Sequence, residues 1–453
     1  MDSTVASSAE VQPGARDCCD VLVIGGGPAG TTAATLLHQK GWRVVLLEKD
    51  FHPRFHIGES LLPMNLPILD RLGVLEQVRA IGMIKYAAEF SCAAAGSPVQ
   101  AFRFAEAMDK DHPYAFQVRR SEFDALLFRN CREQGVSVHE GIKVKNVTFG
   151  PGEAHVVHAV DAGGGERTWE ARFVVDASGR DTFLARRYGT KQRNGAHQSA
   201  AIFGHFDHVV RNPGQDEGNI SIYWFEHGWL WMIPLRDGAM SVGAVCWPEY
   251  LKTRRTDPEE FLWQTIRLCP QVAERMRAAA LNGPARATGN YSYTSSRMWG
   301  PGYILVGDAF AFIDPVFSTG VYLAMNSAVL GSVAVDACLR DPASARTALP
   351  AFERQVRHGV RTVSWFIYRF TTPAMRALFQ GPRNTFRLRE AVISLLAGDI
   401  FRNTPIAMPL GMFKAVYYGI SLARLPRTWA SHRQRRKSAA VVFDGGTTAQ
   451  DQP

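Results

Sequence analysis

The chain has 453 residues, of which 46% are hydrophobic and 21% are charged, and its formal net charge is +9. This composition is that of a globular protein with a core large enough for two or three domains, and it excludes collagen-like, coiled-coil and low-complexity chains. The excess of positive charge is compatible with nucleic acid, a membrane surface or an acidic protein partner, and does not choose among them.

The first 17 residues are small and polar, and we predict that they are disordered. They contain neither the apolar run of a secretory signal nor the amphipathic, arginine-rich pattern of a transit peptide. The seven cysteines of the chain form no C-x-x-C pair and no zinc-like spacing with histidine. We therefore expect a reduced, cytoplasmic protein that binds no metal.

The segment 20–50 has the pattern of a strand, a Gly-rich turn, a helix and a second strand. Its G-x-G-x-x-G motif consists of Gly25, Gly27 and Gly30, directly after the apolar run VLVI. The first glycine allows a tight turn, the second lets the backbone approach a pyrophosphate, and the third lets helix and sheet pack closely. Glu48 ends the second strand, where a carboxylate accepts hydrogen bonds from ribose hydroxyls. The pattern predicts an NAD or FAD site, and a glycine-rich loop without a ligand is the alternative.

Two further residues lie where a nucleotide cofactor would be contacted. Arg120 begins a predicted helix, and Asp308 follows a glycine at a second strand-to-helix turn. Each has a structural alternative: the arginine in a surface ion pair with Glu122 or Asp124, and Asp308 as the cap of the next helix.

Between about 190 and 295 the sequence alternates as antiparallel strands do, with one helical interruption. Within it, Trp229 and Trp231 occupy alternate positions of one strand and so lean to the same face. A pair of core tryptophans is the plain interpretation, because aromatic pairs are common in cores.

Beyond residue 335 the pattern is helical. The apolar stretch 406–423 is interrupted by Lys414 and a proline, so we predict a buried helix rather than a membrane span. A basic segment and a polar tail follow. The default interpretation of that segment is a solvated helix face, and the more specific one is a docking site for an acidic carrier protein. Nucleic acid is disfavoured, because few aromatic residues are interleaved with the charges. The charged residues of the segment are Arg424, Arg427, Arg433, Arg435, Arg436 and Lys437.

Together these motifs resemble the large FAD-dependent family that includes aromatic hydroxylases and flavin-dependent halogenases. In that family the aspartate of the Gly-Asp pair contacts FAD, which implies the same for Asp308. The R-x-x-F-D pattern that begins at Arg120 implies a flavin contact there. Residues 173–189 resemble the middle motif of the family, with D-A-S-G where hydroxylases more often have a D-G core. Because the sequence has no second convincing G-x-G-x-x-G, we predict FAD and no separate nicotinamide site.

The resemblance implies an α/β fold with a doubly wound FAD-binding domain of the aromatic-hydroxylase/halogenase type, an antiparallel β-sheet substrate layer and a helical C-terminal region. The implied division is a disordered N-terminus at 1–17, an FAD-binding domain at 18–190 and 296–335, a β-sheet substrate domain at 191–295, a helical C-terminal cap at 336–437 and a disordered tail at 438–453. The implied FAD contacts are Gly25, Gly27, Ala29, Gly30, Glu48, Arg54, Ser60, Arg120, Asp308, Pro315 and Gly320.

Two features resemble the flavin-dependent halogenases in particular. Residues 229–234 match W-x-W-x-I-P in full, a signature whose indoles are thought to bar organic substrates from the flavin, which implies that role for Trp229 and Trp231. The segment 51–63 with the later Lys85 resembles the arrangement around the halogenase active-site lysine. A desolvated lysine amine suits that task, because it hydrogen-bonds hypohalous acid or becomes a haloamine. A solvated surface lysine is the alternative.

A third feature is the motif F-x-x-P-x-x-S-x-G, formed by Phe312, Pro315, Ser318 and Gly320. In halogenases this stretch lies beside the flavin ring. Its S-T-G backbone amides help to hold the halide, which implies halide binding around Thr319 and Gly320 here. A nest of backbone N–H groups is a reasonable anion site on physical grounds as well.

One position departs from the free-tryptophan halogenases. Where those enzymes carry a catalytic glutamate before S-T-G, this chain has Phe317. The resemblance is therefore closer to the halogenases of pyrroles and phenols, whose substrates are often tethered to an acyl or peptidyl carrier protein. It implies FADH2 from a separate flavin reductase, chloride or bromide as the halide, and no nucleic acid or membrane span. The implied catalytic residues are Lys85, Trp229, Trp231 and Ser318.

Two other functions stay open at this point. The first is an FAD-dependent aromatic monooxygenase or another oxidoreductase of the same fold. The second is a non-catalytic carrier-docking protein that keeps FAD as a structural element.

Overall fold

The structure is a computed structural model that describes residues 17–150, 152, 154–195, 198–289, 292–402 and 404–423. The predicted disorder of 1–17 is wrong for Asp17, which begins a strand, and its remaining residues 1–16 lie outside the described residues, as do the basic segment that begins at Arg424 and the polar tail. The strands are β1 (Asp17–Ile24), β2 (Val44–Leu47), β3 (Met83–Lys85), β4 (Ala87–Cys92), β5 (Gln100–Arg103), β6 (Ala115–Gln117), β7 (Ser137–His139), β8 (Ile142–Thr148), β9 (His155–Asp161), β10 (Glu166–Asp176), β11 (Lys191–Arg193), β12 (Ala200–Asp207), β13 (Ile220–Phe225), β14 (Gly228–Pro234), β15 (Met240–Cys246), β16 (Ala280–Thr288), β17 (Tyr293–Ser295), β18 (Trp299–Gly300), β19 (Tyr303–Leu305) and β20 (Ala311–Phe312). The helices are α1 (Pro28–His38), α2 (Leu66–Arg71), α3 (Leu75–Ile81), α4 (Arg120–Glu133), α5 (Phe183–Arg187), α6 (Pro248–Leu251), α7 (Pro258–Arg267), α8 (Pro270–Arg275), α9 (Thr319–Arg340), α10 (Ala345–Ile367), α11 (Pro373–Gln380), α12 (Leu388–Leu396) and α13 (Ala407–Ala423).

The first sheet carries the Gly-rich turn. Its strand order is β18-β19-β10-β1-β2-β7, and β8 and β9 join it through β10. Strand β1 is parallel to both β2 and β10, and β2 is parallel to β7. The inner parts of β1 and β2 are runs of Val, Leu and Ile buried on both faces, as expected where helices cover a parallel sheet. Helix α1 packs against α4 and α9. The predicted doubly wound α/β fold is confirmed.

The second sheet has the order β16-β12-β15-β14-β13-β4-β5. All its neighbouring strands are antiparallel except β13 and β4, which are parallel. One of its faces packs against α7 and α8. Strands β4 and β5 come from the segment 87–103, which the sequence division placed with the FAD-binding residues. The sheet is therefore wider than the segment 191–295 alone.

The C-terminal helices close one side of the second sheet. The ring of Phe370, after α10, lies 4.7 Å from that of Trp224 in β13, whose Nε1 donates a hydrogen bond to the Phe370 carbonyl oxygen at 3.2 Å. Helix α11 contributes Phe379, whose ring lies 5.0 Å from that of Phe90 in β4. Helix α13 packs on α11 and α12. These contacts put aromatic side chains between the helices and the sheet.

Two long apolar helices differ in their surroundings. Among the described residues, α9 is the one helix long and apolar enough to cross a membrane. Of an apolar stretch of 18 residues within it, 61% is buried inside the protein. Helix α13 was predicted to be buried, and this is only half correct. Its inner face is buried, whereas Met408 and Leu422 on the outer face are 74% and 66% exposed.

Candidate active site

The Gly-rich turn between β1 and α1 is shaped by close backbone contacts. Gly25 has a φ of +105°, and an added Cβ would lie 2.5 Å from the Ala177 carbonyl oxygen. A Cβ on Gly30 would lie 1.8 Å from the Gly25 carbonyl oxygen. Gly27 has space instead, since the nearest atom of another part of the chain is Arg54 Nη2, at 3.8 Å from its Cβ position. The first N–H groups of α1 are thus placed to receive a phosphate.

A buried carboxylate lies beside this turn. Glu48, directly after β2, accepts a hydrogen bond from the Gly26 N–H at Oε2 over 2.7 Å. The same oxygen lies 3.3 Å from Arg54 Nη2. Glu48, predicted to contact the ribose of FAD, and Arg54, a second predicted FAD contact, therefore stand together at one end of the Gly-rich turn.

The Gly-Asp turn touches the start of α1. A Cβ on Gly307 would lie 3.1 Å from the Ala29 Cβ, so the two turns are in close contact. Burial raises the pKa of Asp308 to about 6, although the positive charges of Arg180 and Arg120 act to lower it. Asp308 does not cap the following helix, because α9 begins only at Thr319. The position of Asp308 thus needs an explanation other than helix capping.

The side chain of Arg120 is buried in a bidentate ion pair. Its Nε and Nη2 donate to the Asp124 carboxylate at 2.8 and 2.9 Å, and its Nη1 donates to the Ile57 carbonyl oxygen at 2.6 Å. Although burial acts to raise the pKa of Asp124, the charge and hydrogen bonds of Arg120 hold it below its usual value. The ion pair with Asp124 that was the alternative does form, but its predicted location at the surface is wrong, because both side chains are buried. Through its hydrogen bond to Ile57, the arginine connects α4 to the loop that leads into the sequence G-E-S at residues 58–60.

Lys85 ends β3 and is almost completely buried, with 1% of its surface exposed. Its Nζ donates a hydrogen bond to Ser60 Oγ at 2.7 Å and lies 5.4 Å from the centre of the Phe104 ring. The ion pairs among the described residues do not include it. Burial lowers the pKa of Lys85 to about 7. The alternative of a solvated lysine is therefore wrong, and a neutral amine is accessible to this side chain near pH 7.

Lys85 borders a narrow cavity that also reaches the segment before α9. The polar lining residues are Lys85 and Ser318. The remaining walls are apolar and comprise Leu62, Ala88, Phe90, Phe104, Ile220, Ile222, Val316, Phe317 and Leu396. The structure thus brings together two motifs that lie more than 200 residues apart in the sequence.

The segment before α9 leaves a buried polar group without a partner in the described part of the chain at the first turn of that helix. Residues Pro315–Phe317 form a short 3-10 turn, and Ser318 follows with a φ of +57°. Thr319 and Gly320 are the first two residues of α9. The Thr319 hydroxyl is buried and has no hydrogen-bond partner among the described residues, and the Cβ position of Gly320 faces open space. The N–H groups and the positive end of the helix dipole here favour an anion.

The two tryptophans of β14 lie on one face, with ring centres 5.9 Å apart, and both are buried. Trp231 Nε1 donates to Ser241 Oγ at 3.1 Å, and its ring lies 5.8 Å from that of Phe203. Leu230 points the other way, toward α7 and α8. Trp229 and Trp231 belong to the same apolar cluster as the walls of the Lys85 cavity, without lining it. They are core residues, and they cover the side of the sheet that holds the cavity.

The chain matches known proteins over most of its length. Residues 20–108 and 91–378 match the family model for tryptophan halogenase. The chain is 30% identical over 407 residues to the 1H-pyrrole-2-carbonyl-(peptidyl-carrier protein) chlorinase of Pseudomonas fluorescens, covering 84% of this chain and 89% of that protein. The chain belongs to the tryptophan halogenase family.

Two further relatives support this. The halogenase is 37% identical over 343 residues to tryptophan 2-halogenase of Chondromyces crocatus, covering 74% of this chain, and spans only 64% of the length of that protein. The solved structure of the myxobacterial chondrochloren halogenase, a variant of the FAD-dependent halogenases, has a TM-score of 0.73 and 34% identity, covering 86% of this chain and 92% of that one. The family makes the chain an FAD-dependent oxidoreductase that uses halide.

The residues of the halogenase fit FAD at the predicted place. The open approach at Gly27 suits a pyrophosphate, and Glu48 suits ribose hydroxyls. Asp308 follows Gly307, which contacts Ala29 at the start of α1, and this arrangement is compatible with the predicted contact between Asp308 and FAD. We expect FAD to supply the redox chemistry when bound.

Sequence reasoning missed the aromatic wall of the halogenase cavity. Phe317, which replaces the glutamate of the free-tryptophan enzymes, lies parallel to Phe379 with ring centres 6.1 Å apart and meets Phe370 edge-on at 5.4 Å. These rings come from distant segments of the chain, so no local pattern predicts their contact.

Sequence reasoning also missed the pair of Glu59 and His205, whose Oε1 and Nε2 atoms lie 2.6 Å apart. His205 lies on β12. The side chains of a strand alternate between its two faces, and this alternation was the sequence signal that could have indicated a polar partner for His205.

Proposed function

We propose that this halogenase chlorinates or brominates an electron-rich aromatic ring, such as a pyrrole or a phenol. The observation that carries the proposal is the narrow cavity bordered by both Lys85 and Ser318. It joins the helix start that suits a halide ion to a buried amine that suits hypohalous acid. The walls between these two residues are otherwise apolar.

The roles of the residues follow from their surroundings. The N–H groups around Thr319 and Gly320 hold the halide, because the start of α9 is electropositive. A separate flavin reductase would supply the reduced FAD. Bound FAD would then supply, together with O2, the two-electron oxidation that converts halide to hypohalous acid. Lys85, in its neutral form and held by Ser60, receives the hypohalous acid and presents it to the ring. The carbon–halogen bond forms as the halogen–oxygen bond breaks, and the hydroxide that leaves takes up the proton lost by the ring to give water.

Substrate recognition is expected to rest on apolar contacts. Phe317 cannot orient an indole through a carboxylate, so the ring itself must be activated by its own electron density. The Pseudomonas fluorescens relative acts, by its name, on a pyrrole carried by a peptidyl carrier protein. We extend that to this enzyme and propose a ring tethered to an acyl or peptidyl carrier protein. Its cytoplasmic location stays a prediction from the cysteines, all of which are free thiols.

Mass spectrometry of products tests the proposal. The enzyme is supplied with flavin reductase, O2 and either chloride or bromide, and with pyrrolyl or phenolic groups offered free and on a carrier protein. A halogenated ring that requires halide and reduced FAD supports the proposal, and a carrier-bound preference supports tethering. A hydroxylated ring formed without halide would show an aromatic monooxygenase instead, and inactivity with every acceptor would favour a non-catalytic role.

Truncating Trp229 tests whether the two indoles keep the ring from the flavin. We expect Trp229→Ala to yield some hydroxylated ring at the expense of halogenated ring, and to lower the free energy of unfolding by about 3–5 kcal/mol. Leu230→Ala is the matched control, because Leu230 is buried on the opposite face of the same strand. If both variants lose halogenation alike and give no hydroxylated ring, the tryptophans serve packing alone.

The pH dependence of halogenation tests the protonation state of Lys85. Because burial lowers its pKa to about 7, the neutral fraction rises from pH 6 to pH 8. We expect the single-turnover rate of ring halogenation to rise with it, with an apparent pKa near 7. A rate that stays flat through this range and rises only near pH 10 would indicate an ordinary solvated lysine.

Removing the Ser60 hydroxyl tests how the amine is held. Ser60→Ala deprives Lys85 Nζ of its hydrogen-bond acceptor, so we expect kcat to fall roughly tenfold to a hundredfold, because reacting groups are sensitive to small misplacements. Ser60→Thr keeps a hydroxyl and should recover most of the activity. If Ser60 holds the amine, as its hydrogen bond to Lys85 indicates, and does not make the FAD contact that the sequence implies, halide and FAD affinities should stay unchanged. A loss of FAD affinity with normal turnover of the loaded enzyme would instead assign Ser60 to the cofactor.

A further inference from the structure

The outer face of α13 is apolar along its whole length. Nine positions of the helix are exposed, and none of them carries a charged side chain. The large ones include Met408, Val416 and Leu422, exposed by 74%, 41% and 66%. The inner face packs into the main core cluster through Leu410 and Phe413. A helix that is apolar on both sides needs a second apolar environment, and no other described part of the chain covers this face.

Aromatic and cationic side chains flank that face in one cluster. Trp365 Nε1 donates to Tyr418 Oη at 3.2 Å. The guanidinium carbon of Arg369 and the Nζ of Lys414 lie 4.6 and 5.2 Å from the centre of the Trp365 ring. The ion pairs within the described part of the chain include neither cation. Tryptophan and tyrosine beside unpaired Arg and Lys are typical of protein surfaces at the level of lipid head groups.

The sequence directly after α13 is strongly basic. Residues 424–437 contain five arginines, one lysine and no acidic residue, so they contribute +6 to the net charge of +9. Trp429 lies among them. An apolar helix face followed by a basic tract provides two attractive contributions to an anionic lipid surface, one from burial and one from charge.

We propose that α13 docks this protein on the surface of an anionic lipid bilayer. The outer face enters the boundary between head groups and acyl chains, and Arg369 and Lys414 meet lipid phosphates. The positive charge carried by the sequence 424–437 adds to the attraction toward an anionic surface. The helix lies on the membrane and does not span it, because its inner face is fixed to α11 and α12. A second copy of the chain fits less well, since it would bring two basic tracts together. An acidic protein fits the charge but matches the face less well, because among the nine exposed positions of α13 only Tyr418 has a side-chain hydrogen-bonding group, and it already accepts from Trp365.

Vesicle flotation with the full-length, FAD-loaded protein tests the proposal. Vesicles of phosphatidylcholine alone are compared with vesicles that also contain phosphatidylglycerol. We expect the protein to float with the anionic vesicles, to float at least about tenfold less with neutral ones, and to be released progressively as salt is raised. Failure to float with anionic vesicles at low salt would overturn the proposal.

Charged substitutions on the outer face separate lipid binding from folding. The double variant Met408→Glu and Leu422→Glu should bind anionic vesicles at least about tenfold more weakly, since two apolar side chains lose their burial. Its FAD content and its activity in solution should not change, because both positions are exposed. Val333→Glu is the matched control, an exposed apolar residue on α9 that should float like the wild type.

Two other results would reassign the face. If the wild type is a dimer in solution that the double variant dissociates, the face is an interface between copies. If an acidic carrier protein binds the wild type and not the double variant, and vesicles bind neither, the face belongs to a protein partner. Each of these results overturns the lipid proposal and leaves the proposed halogenation unaffected, because the experiments do not depend on turnover.

Discussion

Replacing Lys85 by methionine will stop ring halogenation while leaving the oxidation of halide intact. Methionine fills a similar volume in the cavity and provides no amine, so the protein should fold and bind FAD as before. We expect the rate of ring halogenation to fall by about 10²–10⁴-fold, the usual contribution of a well-placed reacting side chain. The measurement is product formation by mass spectrometry, with reduced FAD supplied in excess.

A second measurement on the same variant separates the two half-reactions. Hypohalous acid that Lys85 does not receive should escape to solution, where a small electron-rich trap becomes halogenated. The proposed halide site around Thr319 and Gly320 lies on a different element, α9, so its function should persist. If the trap stays unreacted and FAD is still bound, Lys85 acts before hypohalous acid forms, and the proposed order of events is wrong. If ring halogenation proceeds normally, the lysine is structural.

The variant should also be stable, which makes the test clean. A buried ammonium without a carboxylate partner is costly, which is why burial lowers the pKa of Lys85. An apolar replacement removes that cost together with the Ser60 hydrogen bond. We therefore expect the free energy of unfolding of Lys85→Met to equal or exceed that of the wild type. A loss of activity cannot then be attributed to unfolding.

The nucleotide-binding part of the fold was predictable because its constraints are local. The run VLVI, the spacing of Gly25, Gly27 and Gly30, and the acid at Glu48 all lie within 30 residues. Gly25 and Gly30 are each required by a close backbone contact, whereas Gly27 leaves open space. The confirmed halogenase family was predictable for a similar reason, since its motifs are short and complete in this chain. The roles proposed for single residues remain predictions.

The cavity was not predictable, because it is assembled from segments far apart in the chain. Lys85 comes from a three-residue strand, and its burial depends on Phe104 and on the distant Ser318 and Leu396. The strands of 87–103 join a sheet formed mainly by later residues through a single parallel pairing. The exposure of one side of α13 was not predictable either. A helix with apolar residues all round has the same sequence pattern whether its second face contacts the core or solvent.

Replacing Gly30 by alanine will abolish FAD binding and weaken the fold. The new Cβ would lie 1.8 Å from the Gly25 carbonyl oxygen, a backbone atom that can move only if the turn between β1 and α1 moves. We expect the bound FAD, measured by its visible absorbance, to fall below about a tenth of the wild-type amount. The free energy of unfolding should fall by about 1–3 kcal/mol, as in other overpacked sites.

Gly27→Ala provides the contrast within the same motif. Its Cβ would meet only Arg54 Nη2, at 3.8 Å, so the apoprotein should be as stable as the wild type, and FAD alone should bind more weakly. The pair of variants distinguishes the two reasons for a glycine, close packing of the chain and close approach of a ligand. If Gly27→Ala binds FAD normally, the pyrophosphate does not pass this turn, and the cofactor site must be placed elsewhere. If Gly30→Ala is as stable as the wild type, the turn yields more readily than its backbone contacts indicate.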